Sequence, residues 1–250
     1  KIFNNQLKII TPSNWSKEGF TKFGFRDDQV FVIPNGVDKK NFYFIEEHKK
    51  NQIKKKFGIK TEDSVISNIG AMSENKGIDY LLVAYFVLKE KYKNIKLLLK
   101  DQSNLYQINA SQYINKMKNS KYSHLINENS LKDIIFISEN LSFSNINELY
   151  NISDCYVSPY RAEGFNMTPL EAAACGTPII VTKGGSTDDY FNSCLGLQIE
   201  SELVQNKEKT MLKPNLESLI ACITDVHQKK DIFNNEKSIQ YVNNNYNWKI

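Results

Sequence analysis

From Cys155 to Asp189 the chain reads "CYVSPYRAEGFNMTPLEAAACGTPIIVTKGGSTDD". The stretch opens on a short apolar run, Cys155 to Val157, and passes a glycine-bearing loop. It then enters Leu170 to Cys175, which is rich in helix formers and stops at Gly176. A second apolar run follows at Pro178 to Val181. Both runs are uniformly apolar rather than alternating, as a strand covered on both faces of a parallel sheet requires. Strand, helix and strand in this order form a βαβ unit with a right-handed crossover.

The same pattern extends upstream. Apolar runs recur at Val65 to Ile69, Ile95 to Leu99 and Ile134 to Ile137. Between them Ile78, Leu81, Leu82, Tyr85 and Leu88 follow helical spacing, and Ile146, Leu149 and Ile152 do so again. This predicts an α/β fold, a doubly wound parallel sheet. The ends depart from the scheme. Residues 1–33 offer an apolar run at Leu7 to Ile10, an amphipathic piece from Ser13 to Phe23 and a run at Val30 to Ile33, then the turn "PNG" at Pro34 to Gly36. That is strand, helix, strand without companions enough for a second sheet. Glu236 to Asn245 reads as helical with no stop signal after it, so both ends are expected to be cut from something longer.

Composition excludes several function classes. At 250 residues, 41% hydrophobic and 24% charged, the chain can bury one large core or two small ones. A formal charge of +4 is far from the concentrated basic surface that makes nucleic acid the default partner. Only Arg26 and Arg161 are arginine, and Lys and Asn are abundant throughout, which reads as genome base composition. Lys54, Lys55 and Lys56 therefore read as a solvated face, and the sequons at Asn14, Asn109, Asn140, Asn151 and Asn166 as chance. Cys155, Cys175, Cys194 and Cys222 form no C-x-x-C pair, and His48, His124 and His227 have no metal-ligand spacing with them. No apolar run approaches the roughly 20 residues of a membrane span, and the first residues lack a signal-peptide order, so a reduced cytoplasmic setting is expected.

In open parallel sheets ligands bind beyond the carboxyl ends of the strands, so the segments directly after the apolar runs carry the chemistry. These are "GAMSENKG" (Gly70 to Gly77), "KDQSN" (Lys100 to Asn104), "SPYRAEGFNMTPLEAAACG" (Ser158 to Gly176) and "TKGGSTDD" (Thr182 to Asp189). In the third, Gly164 permits a tight turn. The backbone N–H groups of Phe165, Asn166, Met167 and Thr168 then lie where a helix begins, which makes an anion site. Glu163 precedes it and Glu171 follows eight residues later, and acids around an anion site suit hydroxyl groups. Thr168, Pro169 and Glu171 also spell a capping box with a proline start, so Glu171 reads alternatively as the cap of its own helix. Lys76, before Gly77 at an expected helix start, is either a surface lysine or a phosphate ligand.

The string "EGFNMTPLEAAACGTPIIVTKGG" is similar to the signature of glutamate, seven residues, glutamate in retaining, nucleotide-sugar-dependent glycosyltransferases of the family called glycosyl transferases group 1. That family has the two-domain GT-B architecture. Supporting matches run in order: "VIPNGVD" at Val32 to Asp38 resembles the interdomain segment, "NIGAMSENKGIDYLLVAY" the first strand and helix of the donor domain, and "INELYNISDCYVSPYRAEGF" the approach to the signature. The likeness covers most of residues 10–200.

The resemblance implies roles. Glu163 would sit by the transferred sugar, with the Gly164 to Met167 amides near its hydroxyls and the diphosphate. Glu171 would bind the ribose hydroxyls and Lys76 the diphosphate, where a fixed cation stabilises the departing charge without metal or cofactor. Gly70 and Thr168 complete the donor-binding set. The implied partners are a UDP- or GDP-linked sugar and an acceptor of glycan, protein or lipid type, with the acceptor domain missing. The implied organisation is the end of an acceptor domain and linker at 1–38, a basic connecting helix at 39–60, a Rossmann-like donor domain at 61–235 and the start of a C-terminal crossover helix at 236–250. A noncatalytic nucleotide-sugar-binding or protein-interaction module is the alternative. Some positions depart from the family. Ala71 follows Gly70 where many relatives place arginine, and Lys100 is the candidate for the missing charge, or else a salt-bridge partner. Asn166 stands where glycine is usual, and Asn tolerates left-handed backbone. Asp188 or Asp189 replaces a glutamate often found there, or forms a solvated turn.

Overall fold

The structure, a computed structural model, describes residues 7–107, 109–205, 210–229 and 233–248. The first strand β1 (Ile9–Thr11), helix α1 (Asn14–Lys22) and strand β2 (Val30–Val32) form a small unit in which β1 and β2 pair in parallel. Ser13 starts α1 because its hydroxyl accepts from the Ser16 N–H, one of the amides that a first helical turn leaves without a partner. The basic helix α2 (Glu47–Lys56) follows. It buries Ile53 and exposes Lys55 and Lys56, while Lys54 is half-buried 3.8 Å from Asp154.

The five apolar runs become β3 (Ser64–Ile69), β4 (Ile95–Lys100), β5 (Ile134–Ile137), β6 (Cys155–Ser158) and β7 (Ile179–Thr182). With β8 (Gly196–Ile199) they build one six-stranded, all-parallel sheet in the order β5-β4-β3-β6-β7-β8. Both faces are covered, and for that reason the runs are continuously apolar. Along β4, Leu97 and Leu99 point into a core shared with α3 (Ile78–Lys91), α4 (Ala110–Lys118) and residues Leu219, Ile223 and Val226. Leu98 points the other way, toward Leu149 and Tyr150 of α5 (Phe143–Asn151) and Leu170 and Ala173 of α6 (Met167–Ala174).

The strand order reverses between β3 and β6, where Ile66 lies opposite Cys155. The crevice for a ligand in a doubly wound sheet opens at that reversal, beyond the carboxyl ends of the two strands. Segments Gly70 to Gly77 and Ser158 to Gly176 leave from those ends.

Three strands escape the sequence pattern. β8 is short and at the sheet edge, with Leu197 and Gln198 only half-buried. β9 (Ser201–Gln205) and β10 (Thr210–Pro214) form an antiparallel hairpin in which Ser201 faces Pro214, and most of β9 is exposed, so no apolar alternation marks it. After the hairpin come α7 (Leu216–Gln228) and α8 (Asn235–Asn245). The chain then returns to the segment before α2, where the Val37 N–H donates to Tyr246 O at 2.5 Å. Among the described residues no helix is long and apolar enough to cross a membrane.

Candidate functional site

The loops after β3 and β6 are pressed together by one glycine. Gly77 sits at φ 67°, and a Cβ there would lie 1.9 Å from Pro159 O, so only glycine lets the two backbones approach. Arg161 stitches the same loops. Its N–H donates to Asn75 O at 2.7 Å, and its guanidinium donates to Glu74 O at 2.6 Å and to both carboxylate oxygens of Asp79 at 2.9 and 2.5 Å. This contact brings Lys76 Nζ to 2.9 Å from Glu163 Oε1, each side chain about a fifth exposed (19% and 18%).

Glu171 joins the pair from α6. That helix starts at Met167, so Pro169 is its third residue and Glu171 its fifth. The capping-box reading is thereby corrected, because Glu171 Oε2 accepts from the hydroxyl of buried Tyr150 at 2.8 Å instead of closing the helix start. Burial raises the Glu171 pKa above its ordinary 4.5, opposed by the Tyr150 hydrogen bond and by the charge of Lys76. Two acids and one cation therefore share the crevice.

The loop between the two glutamates is fixed from several sides. Asn166 takes the left-handed conformation, φ 67° and ψ 73°, as its tolerance for that region allows. Its Nδ2 donates to Ser158 Oγ at 2.9 Å and its carbonyl accepts from the Tyr190 hydroxyl at 2.9 Å. The Thr168 hydroxyl is engaged by Tyr156 at 2.8 Å, and Phe165 is buried with its ring 5.3 Å from that of Tyr190. The amides of Phe165, Asn166, Met167 and Thr168 have no acceptor among the described residues. Four N–H groups thus remain for an anion at the start of α6.

Other predicted positions lie apart. The Lys100 ammonium is buried against the carbonyl of Asp101, while Lys100 O accepts from the Gly70 N–H at 3.0 Å. No described contact joins the Lys100 side chain to Lys76, Glu163 or Glu171. Asp188 accepts from the Gly184 N–H at 2.8 Å, and Asp189 accepts from the Asn14 N–H at 2.6 Å. A cavity of about 640 Å³ lined by Tyr80, Tyr113, Met117 and Arg161 excludes all three charged groups of the crevice. Sequence reasoning missed Arg161 and the supporting tyrosines 150, 156 and 190; the arginine's rarity was a usable signal, the tyrosines had none.

Residues 49–222 match the model of one protein family, described as "Glycosyl transferases group 1". The chain belongs to this family. Among curated glycosyltransferases of similar sequence, mannosylfructose-phosphate synthase of Agrobacterium fabrum is 27% identical over 163 residues, 65% of this chain and 34% of that protein. Curated relatives of this kind are matched over a third to a half of their length, up to 45%. Among solved structures, Alr3699/HepE of Anabaena in complex with UDP and glucose superposes with a TM-score of 0.72 at 16% identity, covering 96% of this chain and 59% of that one. The C-terminal domain of a group 1 glycosyl transferase, LpcC of Francisella tularensis, gives 0.59 at 19% identity over 86% of this chain and 100% of that one. The parallel sheet is the fold of these GT-B glycosyltransferases.

Proposed function

We propose that this group 1 glycosyltransferase chain is the donor-binding half of an enzyme that moves a sugar from a nucleoside diphosphate to an acceptor with retention at the anomeric carbon. The observation that carries the reading is the convergence of Lys76, Glu163 and Glu171 at the strand-order reversal, beside the unpartnered amides at the start of α6. An ammonium has three donors, so Lys76 can keep Glu163 and also take a phosphate oxygen. The amides and Lys76 then hold the diphosphate, Glu163 a sugar hydroxyl and Glu171 the ribose hydroxyls. Departure of the diphosphate builds charge where these donors already point, without reorganisation. Retention follows a front-face, oxocarbenium-like step in which the leaving phosphate takes the acceptor proton.

The acceptor must be held against the anomeric carbon by a wall that the donor half does not form. Small sheet β1–β2 supports placing that wall in a further domain, because Ile10, Phe31 and Ile33 on or beside it are 68%, 44% and 54% exposed. The Anabaena neighbour's UDP supports the donor class. Calorimetric titration of the chain with UDP, GDP and their sugars tests the reading. Heat with one of them is expected, and none with any donor would leave a noncatalytic module.

Glu171→Gln separates the binding role from the fold. Its raised pKa means that the folded chain holds a proton between pH 4.5 and the raised value that the unfolded chain has released. Stability therefore falls as pH rises through that window. Glutamine keeps an acceptor for Tyr150 and removes the buried charge. The ligand-free melting temperature is expected to rise at pH 7 and to lose that slope, while nucleoside diphosphate binding weakens by about 1.5–3 kcal/mol. Thermal melts from pH 4 to 8, paired with titrations, check both halves.

A further inference from the structure

Ser13 and Ser16 lie outside the stretch that matches the family model, yet both reach the signature loop. The hydroxyl of Ser13 donates to Gly164 O at 2.5 Å and that of Ser16 to the same oxygen at 2.9 Å. Ser13 is fully buried; its oxygen accepts the Ser16 N–H at 3.1 Å while its proton goes to Gly164 O. The helix that carries them is anchored independently. Asp189 accepts from the Asn14 N–H at 2.6 Å, and Lys17 pairs with Asp27 at 3.0 Å.

We propose that Ser13 and Ser16 are positioning residues of the donor site, which fix the direction of the Phe165 amide by holding the carbonyl of the same peptide. The assignment rests on the reading of this loop as the diphosphate and sugar site. A trans peptide is planar with its C=O and N–H on opposite sides, and no peptide bond among the described residues is cis. Two donors on Gly164 O therefore aim the Phe165 N–H away from α1, where it has no acceptor among the described residues. Gly164 has no side chain to restrain its end of that plane, and the two hydroxyls hold the carbonyl there. Donors on the carbonyl also polarise the peptide and make its N–H a stronger donor. The serines thus act on the anion through one peptide and touch no ligand.

Ser16→Ala removes one hydroxyl and leaves the cap of α1 intact, because Ser16 contributes only its backbone N–H to that cap. Ser16→Thr keeps the hydroxyl at that half-buried position and serves as the conservative rescue. Each chain is titrated with UDP and GDP and with uridine and guanosine, and the Phe165 amide is followed by nitrogen-15 NMR without ligand. The expected result for Ser16→Ala is a three- to tenfold weaker diphosphate, roughly one neutral hydrogen bond, with nucleoside affinity unchanged and the Phe165 resonance shifted. Ser16→Thr, which restores the hydroxyl, is expected to recover the diphosphate affinity and the Phe165 resonance. Wild-type binding with an unaltered Ser16→Ala diphosphate affinity overturns the positioning role alone. A wild-type chain that binds neither diphosphate overturns the reading of the site, and the positioning role with it.

Discussion

Gly77→Ala is expected to destabilise the chain by about 3–5 kcal/mol and to remove nucleoside diphosphate binding along with it. Two costs combine. At φ 67° an alanine side chain crowds its own backbone, at about 1–2 kcal/mol. The second cost is steric, since the new Cβ would meet Pro159 O at 1.9 Å and Pro159 C at 2.8 Å. That carbonyl cannot swing aside, because β6 ends at Ser158 and Arg161 is tied to Asn75, Glu74 and Asp79. The loop bearing Lys76 must shift instead, which separates Lys76 from Glu163. Gly58 supplies the control. It has nearly the same φ, 65°, but nothing within 4 Å of its would-be Cβ. Gly58→Ala should therefore cost only the backbone part, about 1–2 kcal/mol. Urea midpoints of the two variants, read beside diphosphate titrations, measure the difference. Equal losses at both positions would mean that the two loops do not touch.

The sheet and the charged cluster were legible in the sequence for one physical reason. A parallel strand buried on both faces leaves an unbroken apolar run, and the chain's chemistry must then sit where each run ends. Val65 to Ile69 and Cys155 to Val157 thus pointed to Lys76, Glu163 and Glu171 before any contact was known. What the sequence hid are polar groups used over long range, which leave no periodic trace. Asn147 and Asn151 lay within a compositional bias, yet both are buried on α5. Asn147 accepts from the Tyr43 N–H at 3.0 Å and Asn151 from the Ile45 N–H at 2.8 Å, pinning the segment before α2. Asn151 and Asn166 also begin sequons while only 3% and 4% exposed, so neither side chain is presented to solvent. Lys89 is a lysine among many, but it is buried 2.6 Å from Asp133. The capping-box alternative misplaced the start of α6 by a different route. Thr168-Pro169 has the composition of a helix start, whereas left-handed Asn166, held by Ser158 and Tyr190, begins the helix two residues earlier.

Lys76→Ala is expected to weaken nucleoside diphosphate binding about a thousandfold, ~4 kcal/mol, more than the ~1.5–3 kcal/mol of one hydrogen bond to a charged group. The excess comes from Glu163. With Lys76 present, the Glu163 carboxylate at 2.9 Å is neutralised, and an arriving phosphate meets a pair without net charge. Without it, a carboxylate only 18% exposed faces the diphosphate, and like charges in a partly buried site repel strongly. Binding of the bare nucleoside should stay nearly unchanged, since it brings no charge to this end of the crevice. The two contributions separate in a double-mutant cycle. Glu163→Gln alone should alter diphosphate affinity little, because Lys76 remains. In the Lys76→Ala background the same change should restore part of the loss, since it removes the repulsion but not the missing donor. Added salt should narrow the gap between wild type and Lys76→Ala, as screening acts on both attraction and repulsion. Affinities that fall equally for nucleoside and diphosphate in Lys76→Ala would instead make the Lys76–Glu163 pair a clasp between two loops, with no part in holding phosphate.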